Sequence, residues 1–216
     1  MNSPSRTKAK TVQRRNKDAT RATLIAAGEV VFAKRSFEGA TYDAIADEAK
    51  VNKALIAYYF GSKEGFYDSV IAAIAQEVIA DVEAATPSSA DPVKNFRGYI
   101  RALATSFWAR PTFAAIIMRE YLGGATQERA GPFEAVVQFY RMTERLYLAG
   151  VKAGAFRRLD PHALHLSIVS PLIHFTIAAS FRRRAVPKFA PDIGDPSPAD
   201  FAGALEKIIL DGVRRA

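Results

Sequence analysis

The residues with the most chemistry to offer sit between positions 41 and 64, which read Thr-Tyr-Asp-Ala-Ile-Ala-Asp-Glu-Ala-Lys-Val-Asn-Lys-Ala-Leu-Ile-Ala-Tyr-Tyr-Phe-Gly-Ser-Lys-Glu. Within one short stretch, Lys53, Tyr58 and Tyr59 supply hydrogen-bond donors and Leu55 an apolar face. Donors and apolar groups so mixed suit the edges of base pairs and the methyl of thymine. Each has a plainer reading: Lys53 and Lys63 as solvated lysines, Tyr59 and Phe60 as partly core. Arg21, upstream, either reaches a phosphate or stays in water.

Other chemistries find little support. No Gly-rich phosphate loop, nucleophile elbow or paired-carboxylate arrangement occurs, so no catalytic residue is assigned and the chain does not read as an enzyme. His162 and His165 lie three apart and could share a metal on one helix face. Without cysteine or a convincing third ligand, they read as an ordinary pair on a helix surface, and neither metal nor cofactor is expected. A nonspecific nucleic-acid or membrane-surface binder driven by basic residues is the remaining rival.

Charge supports the first reading. Of 30 Lys/Arg and 22 Asp/Glu, residues 1–63 hold 12 and 6, so most of the +8 excess lies at the N-terminal end. That is where a polyphosphate would be met, although a solubilising tail has the same composition. With 49% hydrophobic and 24% charged residues the chain can build a core. It has no cysteine, which fits a reducing compartment. The basic start is not followed by an apolar stretch, and Leu166 to Phe181, interrupted by Pro171 and His174, is too short and polar to span a bilayer. The expectation is a soluble cytoplasmic protein that engages no membrane.

Which elements position these residues? Residues 1–16 are polar, acid-free and expected to be a disordered basic arm, able to enter a minor groove. A first helix is expected from about Lys17 to Arg35, with Leu24, Ala27, Gly28, Val31 and Phe32 as its core stripe and Gly39 in the turn after it. Thr41 is placed to cap a second helix over 42–50. Asn52 caps a third over 53–59, and Ser62 a fourth that runs to the Pro87 turn. Two short helices with Ala46 and Ala49 at the contact make a helix-turn-helix. Five more helices follow, over about 92–109, 111–122, 132–153, 161–184 and 198–214, most of them begun by a proline. The fold class is therefore all-α, with about nine helices: an arm over 1–16, a DNA-binding domain over 17–63 and a larger domain over 64–216.

The block closely resembles the TetR family of transcriptional regulators. The resemblance rests on Phe32 and Phe37, Thr41, Ile45-Ala46, Ala49, Val51, Tyr59-Phe60 and Ser62-Lys63-Glu64. It implies phosphate contacts from Thr41 and Lys63, and recognition-helix positions for Lys53, Ala54, Leu55, Tyr58 and Tyr59. Two departures stand out: Lys50 replaces the usual turn glycine, and Ala57 replaces a phosphate-binding tyrosine. More weakly, Phe113 to Gly124, with its Met-Arg-Glu run, resembles the C-terminal domain of one subgroup.

The helix over 161–184 is apolar almost all round, and the last helix carries the stripe Phe201, Leu205, Ile208, Ile209 and Val213. One subunit lacks partners for both, so a homodimer through the last two helices is expected, as in the family. Its two-fold axis implies a palindromic double-stranded DNA operator. The aromatic set in the middle helices serves either as core or, as the resemblance implies, as an effector cavity. Phe107, Trp108, Phe113, Ile117, Tyr121, Phe139 and Met142 are then candidate lining, and Arg119, Glu120, Arg145 and His174 polar anchors. The implied effector is small and largely apolar or aromatic. The implied function is that of a repressor released from its operator by that effector, the alternative being an activator or a regulator without a ligand.

Overall fold

The computed structural model describes the backbone of residues 5–122 and 130–214 and the side chains of 16–122 and 131–214. Among them there are ten helices and no strand: α1 Ser5–Gly39, α2 Tyr42–Ala49, α3 Ala54–Phe60, α4 Lys63–Ala85, α5 Pro92–Ala109, α6 Pro111–Leu122, α7 Ala130–Lys152, α8 Pro161–Ile177, α9 Ala179–Phe189 and α10 Pro198–Val213. Residues 5–16, expected to be disordered, continue α1. Nothing in that stretch breaks a helix, and its Lys, Arg, Gln and Ala residues favour one. The side chains of residues 5–15, and the proposed reach into a minor groove, lie outside the described residues.

A small head forms from α1, α2, α3 and the first turns of α4. Leu24, Val31, Phe32, Ile45, Ile56 and Phe66 are sealed inside it. Phe32 packs on Phe66 and edge-on to Tyr67, with ring centroids 5.7 and 4.6 Å apart. At Gly28 an added Cβ would come within 2.6 Å of the Phe66 ring, so α1 crosses α4 at a distance that only glycine permits. The break in α1 is made at Ser36 (φ 60°, ψ 176°), three residues before its end, whereas Gly39, expected to supply the turn, has no positive φ.

The body packs α5 to α10 around the remainder of α4. Buried residues along α4 run from Phe66 to Val82, so one continuous rod belongs to both cores. Asp91, Asp160 and Ser197 cap α5, α8 and α10, as a proline-started helix requires. Glu206 on α10 is buried between Arg97 and Arg101 of α5, with Arg97 Nε 2.9 Å from one carboxylate oxygen.

The single helix expected over 161–184 is two, bent by 67° at Ala178, which raises the total from about nine to ten. No glycine or proline marks the bend. Arg182 folds back, donates from Nη1 to the Phe175 carbonyl at 2.6 Å and lies 3.9 Å from that ring's centroid. The Phe175 ring is stacked on Phe201 of α10 at 4.1 Å. The reading of this segment as apolar on every face also changes. Leu164, Ile168, Leu172 and Ile173 are buried within the subunit, as are Leu205, Ile209 and Val213 of α10. Leu166, Phe181 (66% exposed) and Ile208 (68%) are what remain uncovered.

Candidate functional site

α2 starts because Thr41 Oγ1 accepts the Ala44 N–H at 3.2 Å. It stops because Lys50 takes a left-handed conformation (φ 54°, ψ 43°), with the Val51 N–H closing on the Ala46 carbonyl at 3.1 Å. That is the helix stop a glycine normally makes, and a side chain there costs about 1 kcal/mol. The turn keeps its geometry despite the departure. Asn52 Oδ1 then accepts the Ala54 N–H at 2.8 Å and starts α3.

α3 is seven residues long and buries one of them, Ile56, completely. Leu55, Tyr59 and Phe60 are half-buried, and Lys53, Ala54, Ala57 and Tyr58 face out. Tyr58 is 64% exposed, a large apolar surface to leave in water. Its ring packs edge-on to Tyr59 at 5.0 Å, and its hydroxyl accepts from Lys17 Nζ at 3.1 Å. That bond raises the Lys17 pKa above the usual lysine value, which keeps a cation beside the phenol. Lys17 was not singled out from the sequence, since nothing local signals a partner 41 positions away.

The remaining polar candidates surround α3. Lys53 Nζ is paired with Asp43 at 2.8 Å, a bond that raises its pKa. Lys63 donates to the Glu38 carbonyl at 3.4 Å and sits 4.7 Å from the Phe37 ring, so its stem is packing as well as charge. Arg21 is exposed, with its guanidinium 5.2 Å from the Phe60 ring. Thr41, Lys53, Ala54 and Tyr58 are exposed together, and the α2–α3 corner is a helix-turn-helix.

The second site is a cavity of about 420 Å³ between α5, α6, α7 and α8. Five of the seven candidate lining residues face it: Phe107, Phe113, Ile117, Tyr121 and Phe139. Phe133, Val136, Val137, Tyr140, His162, His165, Leu166, Val169, Ser170 and Ile173 complete the wall. The other two, and two of the polar anchors, do not line it. Trp108 packs against Phe175, with ring centroids 5.5 Å apart. Met142 is buried elsewhere in the core. Arg119 turns away and donates to the Ala33 and Lys34 carbonyls of α1 at 3.0 and 3.4 Å. His174 is exposed, because it lies nine residues from His165, about half a turn further round a helix that rotates about 100° per residue. Nor do the other suggested anchors point inward: Glu120 accepts from the Tyr67 hydroxyl at 2.7 Å, and Arg145 lies 3.5 Å from Glu83.

The histidine pair is not a surface pair. His162 is exposed at the cavity edge, but His165 is only 3% exposed. Its Nδ1 is 2.8 Å from Thr143 Oγ1, which is itself 2.6 Å from the Tyr99 hydroxyl. Burial, helped by His162, pushes the His165 pKa down to about 4, so the ring is uncharged near neutral pH. Burial pushes the Tyr99 phenol far up. Among the described residues no group of three or more acids and histidines could hold a metal.

An exposed recognition helix on a small head, joined by one rod to a hollow helical body, defines a DNA-binding transcriptional regulator. The comparisons make the family specific. Residues 24–70 match the family model "Bacterial regulatory proteins, tetR family", and residues 92–195 match "Tetracyclin repressor-like, C-terminal domain". The HTH-type transcriptional repressor NicS of Pseudomonas putida is 30% identical over 213 residues, covering 94% of this chain and 97% of its own. The HTH-type transcriptional regulator RutR of Escherichia coli is 25% identical over 209 residues, 91% of each chain. Among solved structures, the fatty acid degradation regulator FadR from Bacillus halodurans superposes with a TM-score of 0.73 at 17% identity, covering 91% of this chain and 97% of that one. The chain belongs to the TetR family of transcriptional regulators.

Proposed function

We propose that the protein is a cytoplasmic repressor that binds a palindromic operator as a homodimer and leaves it when a small apolar or aromatic molecule fills the body cavity. The observation that carries the DNA-binding half is α3. It has one buried anchor, Ile56, and three outward positions, Ala54, Ala57 and Tyr58, of which Tyr58 keeps most of its surface in water. Thr41 and Lys63, at the starts of α2 and α4, contact phosphate, and Arg21 adds a third contact from α1. Lys53, Ala54, Leu55, Tyr58 and Tyr59 face the major groove. Phe181 and Ile208, left uncovered on α9 and near the end of α10, are where a second subunit packs.

Transmission runs through α6. Its inner face lines the cavity with Phe113, Ile117 and Tyr121, while the same helix grips the head. Thr112 donates to Glu29 of α1, Arg119 holds the end of α1, and Glu120 holds Tyr67 of α4. A ligand that prefers one position of α6 therefore biases the spacing of the two heads, and only by that preference.

Selection of bound DNA from a random pool tests the first half. A two-fold symmetric consensus supports it, and an unordered pool overturns it. For the second half, Arg119→Ala is expected to leave operator affinity within a few-fold while ligand no longer releases the DNA. Unaltered release by this variant would sink the α6 route.

A further inference from the structure

His165, Thr143 and Tyr99 form a buried polar thread that ends at the cavity wall. The thread's protons can be placed in more than one way. With Nδ1 bare, Thr143 donates to it and receives from Tyr99, which makes two bonds. With Nδ1 protonated, His165 donates to Thr143 Oγ1, and there are three bonds whether Thr143 donates to the Phe139 carbonyl, 3.2 Å away, and receives from Tyr99, or Thr143 donates to the Tyr99 hydroxyl and that hydroxyl donates to the same carbonyl at 3.4 Å. Protonation at Nδ1 makes three bonds and leaves no donor of the thread unpaired, which counts in a buried setting. It leaves the lone pair on Nε2. Among the described residues nothing hydrogen-bonds to that nitrogen, and it is not sealed off, because the one fully enclosed side-chain nitrogen or oxygen among them that lacks a hydrogen bond is Arg97 Nε, which is ion-paired with Glu206 instead. His165 belongs to the cavity wall, so the free acceptor lies at the cavity.

The rest of the lining narrows the ligand further. Among the described residues no Lys, Arg, Asp or Glu lines the cavity. Against the described lining, an entering carboxylate would meet a lone pair and no cation, and would lose its hydration without compensation. Aromatic rings from α5, α6 and α7 form much of the wall, and the volume suits one or two fused rings. Resting on the reading of this cavity as the effector site, we propose that it selects uncharged aromatic molecules carrying one hydrogen-bond donor, a phenolic hydroxyl or a ring N–H, read by His165 Nε2. His165 is then a specificity-determining residue of the effector site. The thread behind it, Thr143 and Tyr99, acts by holding its tautomer.

Titration calorimetry of the full-length protein with three probes tests this: 2-naphthol, 2-methoxynaphthalene and naphthalene-2-carboxylate. The expected result is that 2-naphthol binds about tenfold tighter than either of the others. His165→Leu is expected to abolish that preference while the methoxy compound still binds. Should the Leu variant not fold, Thr143→Val keeps the imidazole and frees Nδ1, and the preference is expected to shrink. If the methoxy compound binds as well as the naphthol, or the carboxylate binds best, the proposal is overturned while the effector site stands. If none of the three binds, the proposal and the effector reading of this cavity both fall.

Discussion

The head and the body solve opposite problems with the same helices. In the head the working surface is convex, and α3 keeps its contact side chains outside by burying one residue, Ile56. In the body the working surface is concave, and the side chains that matter are those the core turns inward, His165 most of all. The difference teaches where information resides. A convex reader is specified by what a few adjacent residues present outward. A concave one is specified by the register in which four distant helices meet.

The largest expected effect breaks the head alone. Ile56→Ala removes the single buried anchor of α3 and is expected to destabilise the head by about 2–5 kcal/mol. Thermal melts read by circular dichroism should show an early transition, with operator binding lost and cavity ligands still bound. A single cooperative loss of both would show that head and body share one core.

Next comes the reader itself. Tyr58→Ala leaves α3 packed, since that ring is mostly in water, and is expected to weaken operator binding by about 1–3 kcal/mol. Binding to random DNA should change far less in the same gel shifts. Equal losses on both would mean Tyr58 touches only phosphate.

The body has its own signature, a pH dependence. His165 has its folded pKa depressed to about 4 from 6.5. Above pH 6.5 neither state is protonated, so the group changes nothing. Between 6.5 and 4 the unfolded chain takes up a proton that the folded one refuses, so stability is lost as the pH is lowered, by at most about 1.4 kcal/mol per unit. Denaturant melts across that window should show this slope in the wild type, reduced in His165→Gln. The neighbouring His162 and Tyr140 remain in both proteins.

The smallest effect sharpens the head. Lys50→Gly relieves a left-handed lysine and is expected to stabilise the head by up to about 1 kcal/mol, without touching the exposed face of α3. A loss of stability would show that the Lys50 side chain makes up for its backbone.

The helix-turn-helix was legible because its signals are local. The caps at Thr41, Asn52 and Ser62, and the small residues Ala46 and Ala49, all act within a few positions of themselves. Lys17 was not legible, because its partner Tyr58 is brought to it only by packing. Trp108, Met142, Arg119 and His174 were expected in the cavity from their residue types and the family resemblance. An aromatic, a methionine or a cation on a body helix looks the same whether it points in or out. The bend at Ala178 had no breaker residue to announce it, being held by Arg182 over Phe175.

From the chain's residues alone came the helical class, the regulator family it resembles and the surface of α3, all set by short-range periodicity and capping. Folding in three dimensions decided which of the histidines entered the cavity, that Arg119 gripped the head rather than a ligand, and that α8 ended where it did. The physical reason is that the rotational phase of one long helix against three others is fixed by the whole core at once. No single stretch of sequence contains it.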